Sequence, residues 1–383
     1  MPLIIRIVES HWELIYKDSL NFNTSMTRPD KIVPGRVGIK SSMDIMNTKI
    51  GVVGAGAWGT ALAKMLADKG FTLDHWIFEP EVKEEITRHR ENKTFLPGFN
   101  LPPELVPTND IEKAVSGKDL VLMVVPSHCM RAVAAQMKPF VSPGTVLVSA
   151  SKGIENKTHM TMTDILMEII DFLPNHNFGV LSGPSFAKEV AAGVPTVVAA
   201  AAEKKEVAEY IQKVFSAPNF RVYVNHDIVG TQIGGAMKNV IAIAAGACDG
   251  MNLGLNPRAA LITRGLTEMN RLGTRLGADP LTLSGLAGVG DLLLTCTGFL
   301  SRNYTVGKQI GQGKCLDDII SEMRMVAEGV KTTRSVYNMS KKLDVDLPIC
   351  AEVYSVLFEN SPVEKTVERL MNRSLKHELA GVI

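Results

Sequence analysis

The sequence predicts an α/β protein in which a doubly wound N-terminal domain is followed by an all-α C-terminal domain. Three observations predict it. Short β-branched runs alternate with helical stretches from Lys49 onward. A glycine-rich turn joins the first run to the first helix. Strand signals stop after His226. Alternating strand and helix implies a parallel sheet covered on both faces. The 383 residues suit two domains, and a hydrophobic content of 45% suffices for sizeable buried cores.

The first element is residues 1–45, read as an N-terminal extension that need neither fold nor belong to the native protein. It holds the polar run 21–25 and Pro29 and Pro34, with no sustained periodicity. Met26, Met43 and Met46 are alternative starts, and Met46 closely precedes the first strand. Deleting 1–45 is expected to leave activity and melting temperature nearly unchanged. Residues 46–230 follow as a dinucleotide-binding domain. Its strands are predicted at 50–53, 73–77, 120–125, 146–148, 178–181 and 196–200, with 221–224 closing the sheet. Residues 231–383 are predicted to form a helical substrate-binding domain, with helices at 234–247, 257–276, 303–310, 328–343 and 350–358. Gly250, Gly254, Gly277, Pro348 and Pro362 punctuate them.

Charge excludes some functions. Lys plus Arg number 41 against 40 for Asp plus Glu, which leaves no electrostatic footprint for nucleic acid or a membrane surface. No uninterrupted apolar run reaches the ~18 residues of a bilayer span, so no membrane insertion is expected. Arg6, Glu9, His11 and Glu13 break the apolar stretch near the start, which therefore lacks the core of a signal peptide. The five cysteines show no metal-binding or redox spacing and read as small core hydrophobes; a reducing, cytoplasmic setting fits them, and no metal is implied.

Gly54-Ala55-Gly56-Ala57-Trp58-Gly59 lies between the first strand and a helix predicted over 60–69. In that context the motif reads as the phosphate loop of a Rossmann-like domain. Gly54 permits the tight turn, Gly56 lets backbone approach a pyrophosphate, and Gly59 allows close helix–strand packing. The pyrophosphate would sit on the helix N-terminus, where free N–H groups and the dipole favour negative charge. Glu79 stands at the offset of ~20 residues expected for an acid that bonds the adenosine ribose. It reads equally as a solvated acid beside Pro80 and Glu81. Later strands should deliver Pro126 and Ser127, Lys152, and Gly183 and Ser185 to the same crevice. Ser127 and Ser185 also read as helix caps. Lys152 is a cation facing the cofactor cleft.

In the helical half, Lys238-Asn239 is the polar break in an apolar run. On a helix Lys238 has Gly234, Gly235, Ile241 and Ala242 as neighbours. Such a lysine is either snorkelling or held in a site, where burial lowers its pKa and suits it to proton transfer. Asp291, after Gly288-Val289-Gly290, reads as a helix cap or as a partner for Lys238. Ser301-Arg302-Asn303 is a polar turn that, taken alone, reads more often as solvated than as a site; if it is a site, the Arg302 guanidinium fork matches phosphate geometry.

These segments, with Val124-Val125-Pro126-Ser127-His128, Ser182-Gly183-Pro184-Ser185-Phe186-Ala187 and Ala287-Gly288-Val289-Gly290-Asp291-Leu292, resemble the NAD(P)-dependent glycerol-3-phosphate dehydrogenase family. The resemblance runs from Lys49 to the C-terminus. It implies interconversion of dihydroxyacetone phosphate and sn-glycerol 3-phosphate by hydride transfer with NAD(P)H, supplying glycerol 3-phosphate for phospholipid synthesis. It implies that Lys238 is the general acid/base, and that Lys152, Gly183, Ser185, Lys238, Asn239, Asp291, Ser301, Arg302 and Asn303 bind substrate. It implies cofactor contacts at Ala57, Trp58, Phe78, Lys152, Ala187, Arg302, Val326 and Glu328, beside the candidates Gly54, Gly56, Gly59, Glu79 and Pro126. It also implies a homodimer. Many bacterial members carry Ser-Tyr in place of Ala57-Trp58 and a histidine in place of Phe78. NAD(H) is expected to be favoured, because the Glu79 carboxylate would accept from ribose hydroxyls and repel a 2′-phosphate; use of NADP(H) is the alternative. Two rivals are a ketopantoate or 3-hydroxyacid reductase on a similar two-domain plan, and a non-catalytic dinucleotide-sensing protein.

Overall fold

The computed structural model describes residues 45–323, 327–375, 377 and 378. The extension up to residue 44 lies outside these. Ile45, assigned to the extension, is instead buried in the core, so the boundary is corrected to residue 44 and a deletion that spares stability must keep Ile45.

Strand and helix alternate as β1 (Ile50–Val53), α1 (Ala57–Asp68), β2 (Leu73–Trp76), α2 (Pro80–His89), β3 (Leu105–Thr108), α3 (Ile111–Val115), β4 (Leu120–Met123), α4 (Met130–Met137), β5 (Val146–Ser149), α5 (Met162–Ile169), β6 (Phe178–Ser182), α6 (Ala187–Ala191), β7 (Thr196–Ala202), α7 (Lys205–Phe215) and β8 (Phe220–Asn225). They build one eight-stranded sheet of order β3-β2-β1-β4-β5-β6-β7-β8. The order reverses between β1 and β4, and ligands of such sheets bind at this switch point, beyond the carboxyl ends of the strands. Strands β1, β4, β5 and β6 are buried throughout. Successive side chains alternate between the two faces. Leu62 and Leu66 of α1 and Ile211 and Phe215 of α7 share one core with Val52. Val133 and Met137 of α4 and Ile165 of α5 share the other with Val53. Each such side chain contributes about 1.5–3 kcal/mol on full burial.

Three features depart from the sequence reading. Strand β3 is additional to the predicted strands; it contains Pro107 and sits at the sheet edge, where proline is tolerated. The sheet is not wholly parallel. Strand β7 runs antiparallel to β6, with Ser182 opposite Ala199, and β8 runs parallel to β7. The β6–β7 link carries only the five-residue α6, and an antiparallel neighbour needs no full crossover. Helix α1 begins at Ala57, inside the glycine motif, three residues before the expected start. Of the cysteines, Cys248, Cys296 and Cys350 are buried, whereas Cys129 is half-buried and Cys315 exposed.

The second half is helical: α8 (Ile228–Gly250), α9 (Leu255–Arg275), α10 (Pro280–Leu283), α11 (Asp291–Thr297), α12 (Arg302–Gly311), α13 (Leu316–Glu322), α14 (Glu328–Leu343), α15 (Pro348–Phe358) and α16 (Val363–Met371). The expected helices at 234–247 and 303–310 are thus longer in the structure. Helix α8 is the hub, with α9, α11, α12, α14 and α15 packed around it. By length and composition alone it could cross a membrane; here it is the buried core of the helical half. Its contact with α12 is main chain against main chain. A Cβ added to Gly307 would lie 1.9 Å from the Ile243 carbonyl oxygen, and one on Gly246 would lie 2.0 Å from that of Tyr304. No side chain fits at either position, which fixes where α12 begins relative to Lys238.

Candidate active site

The glycine loop connects β1 to α1 at the switch point. Gly54 has a φ of +115°, which favours glycine, and a Cβ there would meet the Val124 carbonyl oxygen, just past β4, at 2.6 Å. A Cβ on Gly59 would lie 2.0 Å from the Gly54 oxygen. At Gly56 a Cβ would meet nothing within 4 Å, and no side chain caps the helix that starts there. The first N–H groups of α1 therefore have no side-chain cap, and the loop beside them leaves room for a ligand, as a bound pyrophosphate requires. These residues fit a dinucleotide.

At the end of β2, Phe78 is 73% exposed and packs edge-on against Trp76. Glu79 holds the N-cap position of α2, yet its side chain makes no capping bond. Pro126 precedes a turn of 3₁₀ helix, Ser127–Cys129. Ser127 does not cap that turn in isolation: its N–H and hydroxyl donate to the Glu328 carboxylate at 3.2 and 2.5 Å, joining the sheet half to the start of α14. Ser185 likewise is no helix cap; its hydroxyl donates to the Gly183 carbonyl at 3.0 Å. Ala187 opens α6.

The centre is a buried ion cluster. Asp291 is fully buried at the first position of α11, immediately after a π-helical turn, Leu286–Gly290. π-Turns recur at functional sites. One carboxylate oxygen accepts from Lys238 Nζ and the other from Lys152 Nζ at 2.6 Å. Asp291 is thus a partner for two lysines, not merely a cap. Lys152 also donates to the Gly183 carbonyl at 3.2 Å. Lys238, on α8, donates to Thr295 Oγ1 at 2.9 Å. Burial pushes the Lys238 amine down to about 7; Asp291 opposes that shift and Lys152 reinforces it. The amine is buried and held on two sides, so it does not snorkel to solvent.

Around the cluster, Asn303 Nδ2 donates to Asn239 Oδ1 at 2.9 Å, and Asn303 Oδ1 accepts from the Gly329 N–H at 2.9 Å. Ser301 caps α12, accepting from the Tyr304 N–H. Arg302 opens α12 with an exposed side chain. Surrounding protein lowers its pKa, and the Glu328 carboxylate pulls it back. The structure therefore brings Lys152, Gly183, Lys238 and Asp291 into direct contact, with Asn239 and Asn303 bonded beside them. Phe78 and Glu79 follow β2, on the other side of β1 from the Lys152 loop. Val326 lies outside the described residues. Thr295 escaped the sequence reading, although it stands four residues after Asp291 and hence on the same helix face.

Comparison with known proteins shows the family of the chain. The family profile for the N-terminus of NAD-dependent glycerol-3-phosphate dehydrogenase matches residues 49–208, and that for its C-terminus matches 227–368. A protein of Geobacter metallireducens named glycerol-3-phosphate dehydrogenase (NAD(P)+) is 54% identical over 333 residues, spanning 87% of this chain and 99% of the relative. One of Syntrophobacter fumaroxidans with the same name is 52% identical over 330 residues, 86% of this chain and 97% of its own length. The crystal structure of glycerol-3-phosphate dehydrogenase from Coxiella burnetii superimposes with a TM-score of 0.82 at 36% identity, covering 85% of this chain and 99% of that one. The chain belongs to the NAD-dependent glycerol-3-phosphate dehydrogenase family.

Proposed function

We propose that this chain interconverts dihydroxyacetone phosphate and sn-glycerol 3-phosphate, with residues 46–230 holding the nucleotide and 231–383 supplying most of the substrate site. The observation that carries the proposal is the buried Lys152–Asp291–Lys238 cluster. It joins the loop after β5 to two helices of the second half, beside the switch point that carries the glycine loop. The reduced nicotinamide, when bound, supplies the hydride that ends on C2 of dihydroxyacetone phosphate. Lys238 Nζ polarises the C2 carbonyl and gives its proton to the developing alkoxide; in the reverse direction the neutral amine takes the hydroxyl proton. An amine titrating near 7 can do both at neutral pH. Asp291 holds Lys238 and Lys152 in place, and Arg302 at the start of α12 receives the phosphate. Oxidation of NADH or NADPH with dihydroxyacetone phosphate, but not with unphosphorylated dihydroxyacetone, tests the reading. A protein that only senses dinucleotide would bind NADH and turn over neither.

Arg302→Ala is expected to raise KM for dihydroxyacetone phosphate at least about tenfold and to affect NADH far less, since a charge-assisted hydrogen bond contributes about 1.5–3 kcal/mol. An unchanged KM would move the phosphate to Lys152.

NADH is proposed as the favoured nucleotide. Glu79 spends no hydrogen bond on capping α2, so its carboxylate is available to accept from a ribose, and it would repel a 2′-phosphate. Phe78 offers that phosphate no hydrogen bond. The kcat/KM ratio for NADH over NADPH should exceed one and should fall in Glu79→Gln. A wild-type ratio favouring NADPH rejects the preference, and a ratio indifferent to the substitution removes Glu79 from it. A cytoplasmic homodimer is the setting the family resemblance supports, with sedimentation velocity as the check on assembly.

A further inference from the structure

We infer that His75 and Asn92 are positioning residues for the dinucleotide. They hold the Gly54 and Ala55 carbonyls turned into the protein, so that the next two N–H groups of the loop face the cofactor. The inference rests on the dinucleotide reading above.

His75, on β2, is fully buried, and its Nε2 lies 3.0 Å from the Gly54 carbonyl oxygen. Its Nδ1 is buried without a hydrogen-bond partner. One tautomer suits both facts: the proton sits on Nε2 and is donated to Gly54, and only a lone pair remains on Nδ1. Burial lowers the ring's pKa to about 4, so the ring is neutral near pH 7. Asn92, in the segment after α2, is also fully buried. Its Nδ2 donates to the Ala55 carbonyl at 2.9 Å and to Thr60 Oγ1 at 2.8 Å, while its Oδ1 accepts from the Phe95 N–H at 2.9 Å. The Phe95 bond fixes which way the amide points. Thr60 Oγ1 gives the Ala55 carbonyl a second donor at 3.1 Å.

A planar trans peptide points its carbonyl and the following N–H in opposite directions. Pinning the Gly54 and Ala55 carbonyls inward therefore aims the Ala55 and Gly56 N–H groups the opposite way, and at Gly56 the loop has room for a ligand to approach. An outward carbonyl would set a partial negative charge against the pyrophosphate and withdraw a donor from it. Two buried side chains from different elements, one on β2 and one beyond α2, prevent that rotation. Neither residue belongs to the glycine motif.

The test is a fluorescence titration of NADH against wild type, His75→Leu, His75→Gln and Asn92→Ala, with circular dichroism to show that each is folded. Losing one neutral hydrogen bond should raise the Kd for NADH about three- to tenfold in His75→Leu and in Asn92→Ala. At saturating NADH, kcat and the KM for dihydroxyacetone phosphate should stay near wild type. His75→Gln restores an N–H donor and should recover most of the affinity. Should Asn92→Ala not fold, Thr60→Val, which removes the second donor to Ala55, carries the same expectation. Unchanged Kd in folded variants, a loss of kcat with unchanged Kd, or a glutamine variant no better than leucine each overturns the inference. A wild type that binds no NADH overturns the dinucleotide reading itself, and this inference with it.

Discussion

Lys238→Met is expected to keep the fold and NADH binding while lowering turnover roughly 10²–10⁴-fold, the contribution of a positioned general acid–base group. Methionine keeps an unbranched chain one atom shorter, and Asp291 retains Lys152 as its ion-pair partner, so the buried carboxylate is not abandoned. The pH behaviour makes the assignment sharper. With an amine titrating near 7, wild-type ketone reduction should fall as pH rises through that value, and alcohol oxidation should fall as pH drops through it. Both limbs should vanish from the residual activity of the variant. Stability carries a second signature. The folded-state pKa is depressed from 10.5 to about 7, so between those values the unfolded chain binds more protons. Wild-type stability should therefore rise with pH across that window, and the variant should lack the rise. Near-normal turnover in folded Lys238→Met would end the assignment.

Asp291→Asn should produce the largest loss of stability among single substitutions at the site. Asp291 is completely buried and is the carboxylate that pairs with both lysine amines. Breaking a buried pair by removing one partner costs about 3–5 kcal/mol, because a charge is left uncompensated. Asparagine conserves the shape, so the loss reports charge and not packing. The same change removes the influence that holds the Lys238 pKa up, while Lys152 and burial still push it down. The apparent pKa of the reduction profile should thus move to lower pH, and each unit of that fall costs about tenfold in protonated lysine at neutral pH. Chemical denaturation and a pH–rate profile measure the two effects. If neither quantity moves, Asp291 does not govern the lysines.

Local chemistry explains which parts were legible beforehand. The glycine loop and Lys238 stood out because each violates its surroundings: three glycines at the end of a β-branched run, and a lysine inside an apolar helix. The buried strands β1, β4, β5 and β6 appeared as short apolar runs for the same reason. Strand β3 stayed hidden behind Pro107, since four residues containing a proline resemble a loop until an edge position accommodates them. The direction of β7 has no local signature, because pairing partners decide it. Nor could spacing show that one carboxylate serves two lysines, one 139 and the other 53 residues away. The hydroxyl of Ser301 caps α12, a role that the sequence of the turn does not display.

The main-chain contact between α8 and α12 gives the proposed site a fixed gauge. Side-chain packing can be relaxed by rotamer changes, but two backbones separated only by glycine cannot slide without breaking contact along their length. Lys238 lies on one of these helices and Arg302 starts the other. If the first grips the C2 oxygen and the second the phosphate, the crossing measures the distance between those two groups of the substrate. A ketose phosphate of one length would then be favoured over shorter and longer ones, even if every polar partner were present. Discrimination by length would then reside in the helix crossing, at residues that never touch the substrate.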